Sequence, residues 1–84
     1  MTVRRIAFTR HAAAMLIERN IERKWVERAL REPDATEPDP RHPNTFRSFR
    51  MIPERDNRIL RVVYTENAEE FRVITTFLDR ARRI

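Results

Sequence analysis

The chain has 84 residues and a formal charge of +5 at pH 7, from 18 Lys and Arg against 13 Asp and Glu. Its length supports one small domain, residues 1–84. The absence of cysteine excludes disulfides and thiolate metal sites, and the absence of glycine excludes a Walker loop, a GxGxxG turn and any other glycine-built phosphate cradle.

Residues 3–8 carry Val3, Ile6 and Phe8, enough for a short first strand. Thr9 follows as a helix N-cap, its hydroxyl free to accept amide hydrogens of the first turn. A helix over 10–19 sets Ala12, Met15, Leu16 and Arg19 on one face, with Ala13 and Ile17 beside it. Asn20 suits the left-handed residue that closes a helix where glycine is lacking. A second helix over 22–31 carries Trp25, Val26, Ala29 and Leu30, and Pro33 stops it.

Residues 33–44, with prolines at 33, 38, 40 and 43, are expected to form a long mobile loop. Residues 45–52 alternate, predicting a strand with Phe46, Ser48, Arg50 and Ile52 on one face and Arg47, Phe49 and Met51 on the other. A turn at 53–57 leads to strands at 58–65 and 71–78, both rich in β-branched and aromatic residues, joined by a hairpin loop at 66–70. The tail 79–84 is short and basic, compatible with a helical turn. The fold class is α+β, in the order β-α-α-β-β-β. The two helices pack on one face of a small antiparallel sheet and leave the other face open to solvent or ligand.

All basic residues but Lys24 are arginine. A guanidinium matches phosphate geometry better than an ammonium does, so the expected partner is a polyanion: RNA or DNA, or an acidic protein. The competing explanation is that many of these arginines pair with the chain's own carboxylates. No apolar run approaches the roughly 20 residues that span a bilayer and no signal peptide is visible, so a cytoplasmic protein with no membrane partner is expected.

Of the two histidines, His42 lies between Arg41 and Pro43 in the loop and reads as solvated. His11 falls in the first turn of a helix, where amide dipoles favour an anion nearby. It could bind phosphate, move a proton near neutral pH, or simply cap and pack. Arg19, two turns on, is a phosphate contact or an ion-pair partner. Arg47 and Arg50 point to opposite faces unless a bulge intervenes. Arg61, in an apolar strand, is a candidate for the open face, with Arg72 across from it in one register. Tyr64 and Thr75 either pack or serve a ligand, Tyr64 by stacking a base or donating a hydrogen bond. No carboxylate pair of the glycosidase kind and no metal-binding motif is present, and no cofactor is implied. An Arg-rich sheet with one histidine and one tyrosine could cleave RNA without metal, through attack of the 2′-hydroxyl on its own phosphate.

The opening FTRHAAAMLIERNIERKWVERAL resembles a family of small prokaryotic domains with an F-[ST]-x-H-A start, here Phe8, Thr9, His11 and Ala12, followed by Arg19 and Ile21. The second half, TFRSFRMIPERDNRILRVVYTENAEEFRVITTFLDRARR, resembles the BrnT toxins, and both are similar to the RelE-like toxins of the barnase–EndoU–colicin–RelE superfold. The glycines usual between the helices and in the hairpins are missing here. The resemblance implies the toxin of a type II toxin–antitoxin pair: an endoribonuclease held inactive by a small acidic antitoxin. Carried over, it implies His11, Arg50 and Tyr64 as catalytic residues and Arg19, Arg47, Arg61, Thr75 and Arg80 as RNA contacts. His11 would be the acid or base, the arginines would hold phosphate, and Tyr64 would meet the base or sugar. Two other classes stay open, a non-catalytic nucleic-acid-binding module and a protein-interaction domain. The oligomeric state is not legible.

Overall fold

In a computed structural model that describes residues 4–80 and 82, local signals account for the first half of the chain. After strand β1 (Arg5–Phe8), Thr9 is extended and its Oγ1 accepts the Ala12 N–H at 3.1 Å. Helix α1 (Arg10–Glu18) therefore starts where the cap is. Beyond its C-cap Arg19, Asn20 closes the helix with a left-handed φ of 52°. The Asn20 N–H bonds the Ile17 carbonyl and the Ile21 N–H bonds the Leu16 carbonyl, a Schellman closure that brings Ile21 and Leu16 into the core. Helix α2 (Arg23–Arg31) buries Trp25, Val26, Ala29 and Leu30, the stripe its spacing predicts.

Five strands form one sheet in the order β1-β5-β4-β3-β2. Strands β3 (Phe46–Ile52), β4 (Arg58–Glu66) and β5 (Glu70–Asp79) make the expected antiparallel meander. Two features correct the reading from sequence. Within 33–44, expected to be loop, Ala35–Pro38 is strand β2, paired antiparallel with β3. It sits at the sheet edge, where a proline costs no ladder bond on the outer side, so its prolines hid it. Secondly, β1 lies parallel to β5, with Arg5 beside Glu70 and Phe8 beside Val73, so the sheet is mixed. The turn at 53–57 is a 3-10 turn (Pro53–Arg55) followed by Asp56 and Asn57 at φ 55° and 60°. With no glycine in the chain, Asn and Asp take the left-handed positions, as their short side chains allow.

Both helices pack on one face. Ala12, Trp25, Val26, Ala29 and Leu30 meet Ile52, Leu60, Val62, Tyr64 and Val73 from the strands. Each large apolar side chain so buried contributes about 1.5–3 kcal/mol. Arg28 of α2 grips Glu54 through two bonds of 3.0 and 2.9 Å, tying the helix to the turn. That grip lowers the Glu54 carboxyl from 4.5 to about 2 and raises Arg28.

The opposite face is only partly open. Phe49 is fully buried there, with the Arg82 guanidinium 3.6 Å and that of Arg61 5.4 Å from its ring centroid. Arg82 lies over this face: its N–H bonds Asp79 Oδ1 and its Nη1 reaches Glu37 at 3.4 Å. Val3 and, of the expected tail 79–84, residues 81, 83 and 84 lie outside the described residues; Asp79 itself belongs to β5. Among the described residues no helix is long and apolar enough to cross a membrane.

Candidate nucleic-acid interface

The site starts from where β1 stops. Its pairing with β5 ends at Val73, so Ile74–Asp79 has no strand on that side. Side chains of α1 and its cap take over the exposed carbonyls. Thr9 donates its hydroxyl to Ile74 O at 3.1 Å and Arg19 donates Nη1 to Thr76 O at 3.0 Å. Between them His11, exposed in the first turn of α1, has Nε2 3.2 Å from Thr75 Oγ1. A β-bulge makes Thr75 available. Val63 pairs with Thr75 but Tyr64 pairs with Val73, leaving Ile74 as the extra residue that re-aims the strand.

Register places Arg47, Val63 and Thr75 in one row across the open face and Phe49, Arg61 and Phe77 in the next. Arg47, Arg61, Val63, Ile74, Thr75 and the 39–42 loop line one recess, with His11 at its rim through Thr75. His42, exposed as expected, belongs to this lining and has Nδ1 3.8 Å from Asp39 Oδ1. Asp39 also accepts the Arg41 N–H at 2.8 Å, which lowers its carboxyl below the usual range. The two arginines are not free. Arg61 donates Nε to buried Asp79 at 3.0 Å, and Arg47 meets Glu37 at 3.4 Å. Glu37 comes from β2, the strand that the sequence reading took for loop. Arg72 lies across from Thr65, not from Arg61, which faces Phe77.

The other site residues predicted from sequence fall elsewhere. Arg50 is held at the end of α2 by the Glu32 carbonyl (2.9 Å) and by Asp34. It pairs with Leu60, which pairs with Leu78, three positions along β5 from Thr75 and two strands away from it. Tyr64 is 6% exposed, packs against Phe46 and Phe71, and has its hydroxyl 3.4 Å from Ser48 Oγ on the helix side. His11 and Thr75 are therefore joined directly, Arg47 and Arg61 share their recess, and Arg50 and Tyr64 stand apart from it.

Arg19 and Arg80 line a second recess with Arg55, Arg58, Phe77 and Leu78. Arg55 donates to the Asn20 carbonyl at 2.9 Å, so main-chain oxygens rather than carboxylates hold Arg19 and Arg55. Among the described residues Arg58 and Arg80 have no ion pair. Sequence reasoning missed Arg55 and Arg58, because nothing in their own segment brings them to β5. Among the described residues no group of three or more His, Asp or Glu could hold a metal ion.

No curated protein and no solved structure matches the chain. A family model described as a domain of unknown function, DUF4258, matches residues 8–78, from the last residue of β1 to the penultimate residue of β5. That span takes in His11, Thr75 and nearly the whole sheet, and the chain belongs to the DUF4258 family.

Proposed function

We propose that this domain is a metal-independent endoribonuclease of the RelE-like and BrnT-like kind, acting as the toxin of a type II toxin–antitoxin pair in the cytoplasm. The observation that carries the reading is the exposed His11, held against Thr75 at the rim of a recess that also contains Arg47, Arg61 and His42. In the reaction, His11 takes the proton of an RNA 2′-hydroxyl. The 2′-oxygen bonds to the adjacent phosphorus, and the bond from phosphorus to the 5′-oxygen breaks. The departing oxygen takes a proton from His42, whose Nδ1 lies 3.8 Å from Asp39 Oδ1. Positive charge from Arg47 and Arg61 stabilises the phosphorane, to the extent that RNA draws them from Glu37 and Asp79. A small acidic antitoxin would silence the domain by covering the same positive surface.

The test is incubation of the purified protein with total RNA, with and without EDTA, beside a His11→Ala variant. The expected result is cleavage that survives EDTA, leaves 2′,3′-cyclic phosphate and 5′-hydroxyl ends, and is lost in the variant. Equal cleavage by the variant removes His11 from the mechanism, and intact RNA throughout refutes the free-enzyme reading. A second reading, binding of nucleic acid without cleavage, draws on Arg58 and Arg80, which form no ion pair among the described residues.

A further inference from the structure

We propose that the free edge of β5 from Thr75 to Asp79, with Arg80 just beyond it, is a track for the backbone of single-stranded RNA, with Arg19, Arg55, Arg58 and Arg80 as its phosphate contacts and Phe77 as a platform for a base. The track rests on RNA being the substrate, as proposed above, but not on the RNA being cleaved.

Three observations carry it. Four guanidiniums line one recess with no carboxylate in its own lining, although Arg58 and Arg80 also border a neighbouring recess that holds Asp56 and Asp79. Six of the other described arginines, Arg4, Arg28, Arg47, Arg50, Arg61 and Arg82, each have a carboxylate partner, while Arg5, Arg10, Arg23, Arg31, Arg41 and Arg72 have none among the described residues. Like charges gathered in one recess repel, and a polyanion relieves that repulsion. Two of the four are also pre-aimed. Arg19 is anchored on Thr76 O and Arg55 on Asn20 O, so each holds its orientation and keeps other N–H groups for a ligand. Finally, Phe77 is half-buried in the same lining, with Arg19 at 5.8 Å and Arg61 at 5.0 Å from its ring centroid. An aromatic face between guanidiniums is the pairing by which single-stranded nucleic acid is held without regard to sequence.

Thr75 marks the start of the track because His11 sits on it. From Thr75 to Asp79, the last residue of β5, the strand spans about 13 Å at a rise of about 3.3 Å per residue, and Arg80 follows directly. RNA lying along the edge would thus pass the arginines with one end at His11. The strand's outward carbonyls at Ile74 and Thr76 are already bonded to Thr9 and Arg19, so the edge offers side-chain cations rather than a ladder to a partner strand.

The experiment measures binding of a fluorescein-labelled oligouridylate of about 12 nucleotides by anisotropy across a salt series. The variants are Arg58→Gln/Arg80→Gln and, as a charge-matched control at the far end of β5, Arg5→Gln/Arg72→Gln. All are checked for folding by circular dichroism. The expected result for the track variant is affinity at least about 10-fold weaker at about 50 mM salt, with a slope of log affinity against log salt shallower by about 1.4, which is about 0.7 per lost contact. The control should change less than about 3-fold. Phe77→Leu should weaken binding and leave the slope unchanged. Equal losses in both double variants, no loss in the track variant, no binding by the native protein, or equal competition by a polyglutamate peptide would each overturn the proposal. Cleavage of the bound RNA, scored beside binding in the native protein, separates the two readings. Native protein that binds RNA along the track but never cleaves it upholds the track and refutes the nuclease.

Discussion

Removing the Thr9 hydroxyl is the sharpest test of how α1 is fixed to the sheet. That oxygen accepts the Ala12 N–H at 3.1 Å and donates to the Ile74 carbonyl at 3.1 Å. Thr9→Ala loses a helix cap, about 1 kcal/mol. It also strands a half-buried carbonyl, about 1 kcal/mol more. The sum of about 2 kcal/mol is a large part of the roughly 4–13 kcal/mol expected for a domain of this size. With a urea m-value of about 1 kcal/mol/M, the midpoint should fall by about 2 M. Unfolding followed by the fluorescence of Trp25, the only tryptophan, and by far-UV circular dichroism measures it. Thr9→Ser keeps both bonds and loses one methyl, so it should cost less than about 0.8 kcal/mol. A midpoint for Thr9→Ala within about 0.3 M of the native protein, or a serine variant as unstable as the alanine one, would refute the reasoning.

Leu60→Ala, at a fully buried core position, should cost about 2–5 kcal/mol in the same urea assay. Ile17→Ala, at a position 81% exposed, should stay within about 0.5 kcal/mol. The Glu54 carboxyl should titrate at about 2 by carbon NMR, and in Arg28→Gln the midpoint should return toward 4.5. Because the folded value is the lower one, the stability it contributes is complete above about 4.5 and is lost as pH falls through about 2. An ordinary midpoint with Arg28 in place would show that the grip is absent in solution. Glu37→Gln releases the carboxylate shared by Arg47 and Arg82, so it should tighten oligonucleotide binding several-fold at low salt. Unchanged affinity would mean that these two arginines do not meet RNA.

Legibility in the sequence followed the range of the interaction. The Thr9 cap, the left-handed Asn20 and the stripe Trp25-Val26-Ala29-Leu30 are local, and each lies where residue type and spacing put it. Alternation in 46–52 gave the faces of β3 correctly, since Ile52 joins the core and Phe49 lies on the other side. What stayed hidden depends on partners far along the chain. Ala35–Pro38 is a strand only because β3 pairs with it. Choosing Thr75 rather than Ile74 to face Val63 took a bulge that no local signal announces. For the site, His11 could be singled out by its place in the first turn. Whether Tyr64 points into the core depended on the face of β4 it shares with Leu60 and Val62. The recess that joins Arg55 and Arg58 to Arg19 and Arg80 needed the turn at 53–57 to be brought against the end of α1.

The parallel seating of β1 on β5 has a kinetic side. Thr9 and Ile74, bonded in the folded state, are 65 residues apart in the chain. Strand β5 lies between β1 and β4, so the ladder that secures the N-terminal strand cannot close until β5 has been made. During synthesis α1 and α2 would wait with their apolar faces uncovered. Topologies dominated by such distant pairings fold in about milliseconds to seconds, far more slowly than helical bundles. A ribosome that stalls before Glu70 would release a chain with no His11–Thr75 contact and no β5 edge at all, so any activity that depends on them arises only after the last strand is in place.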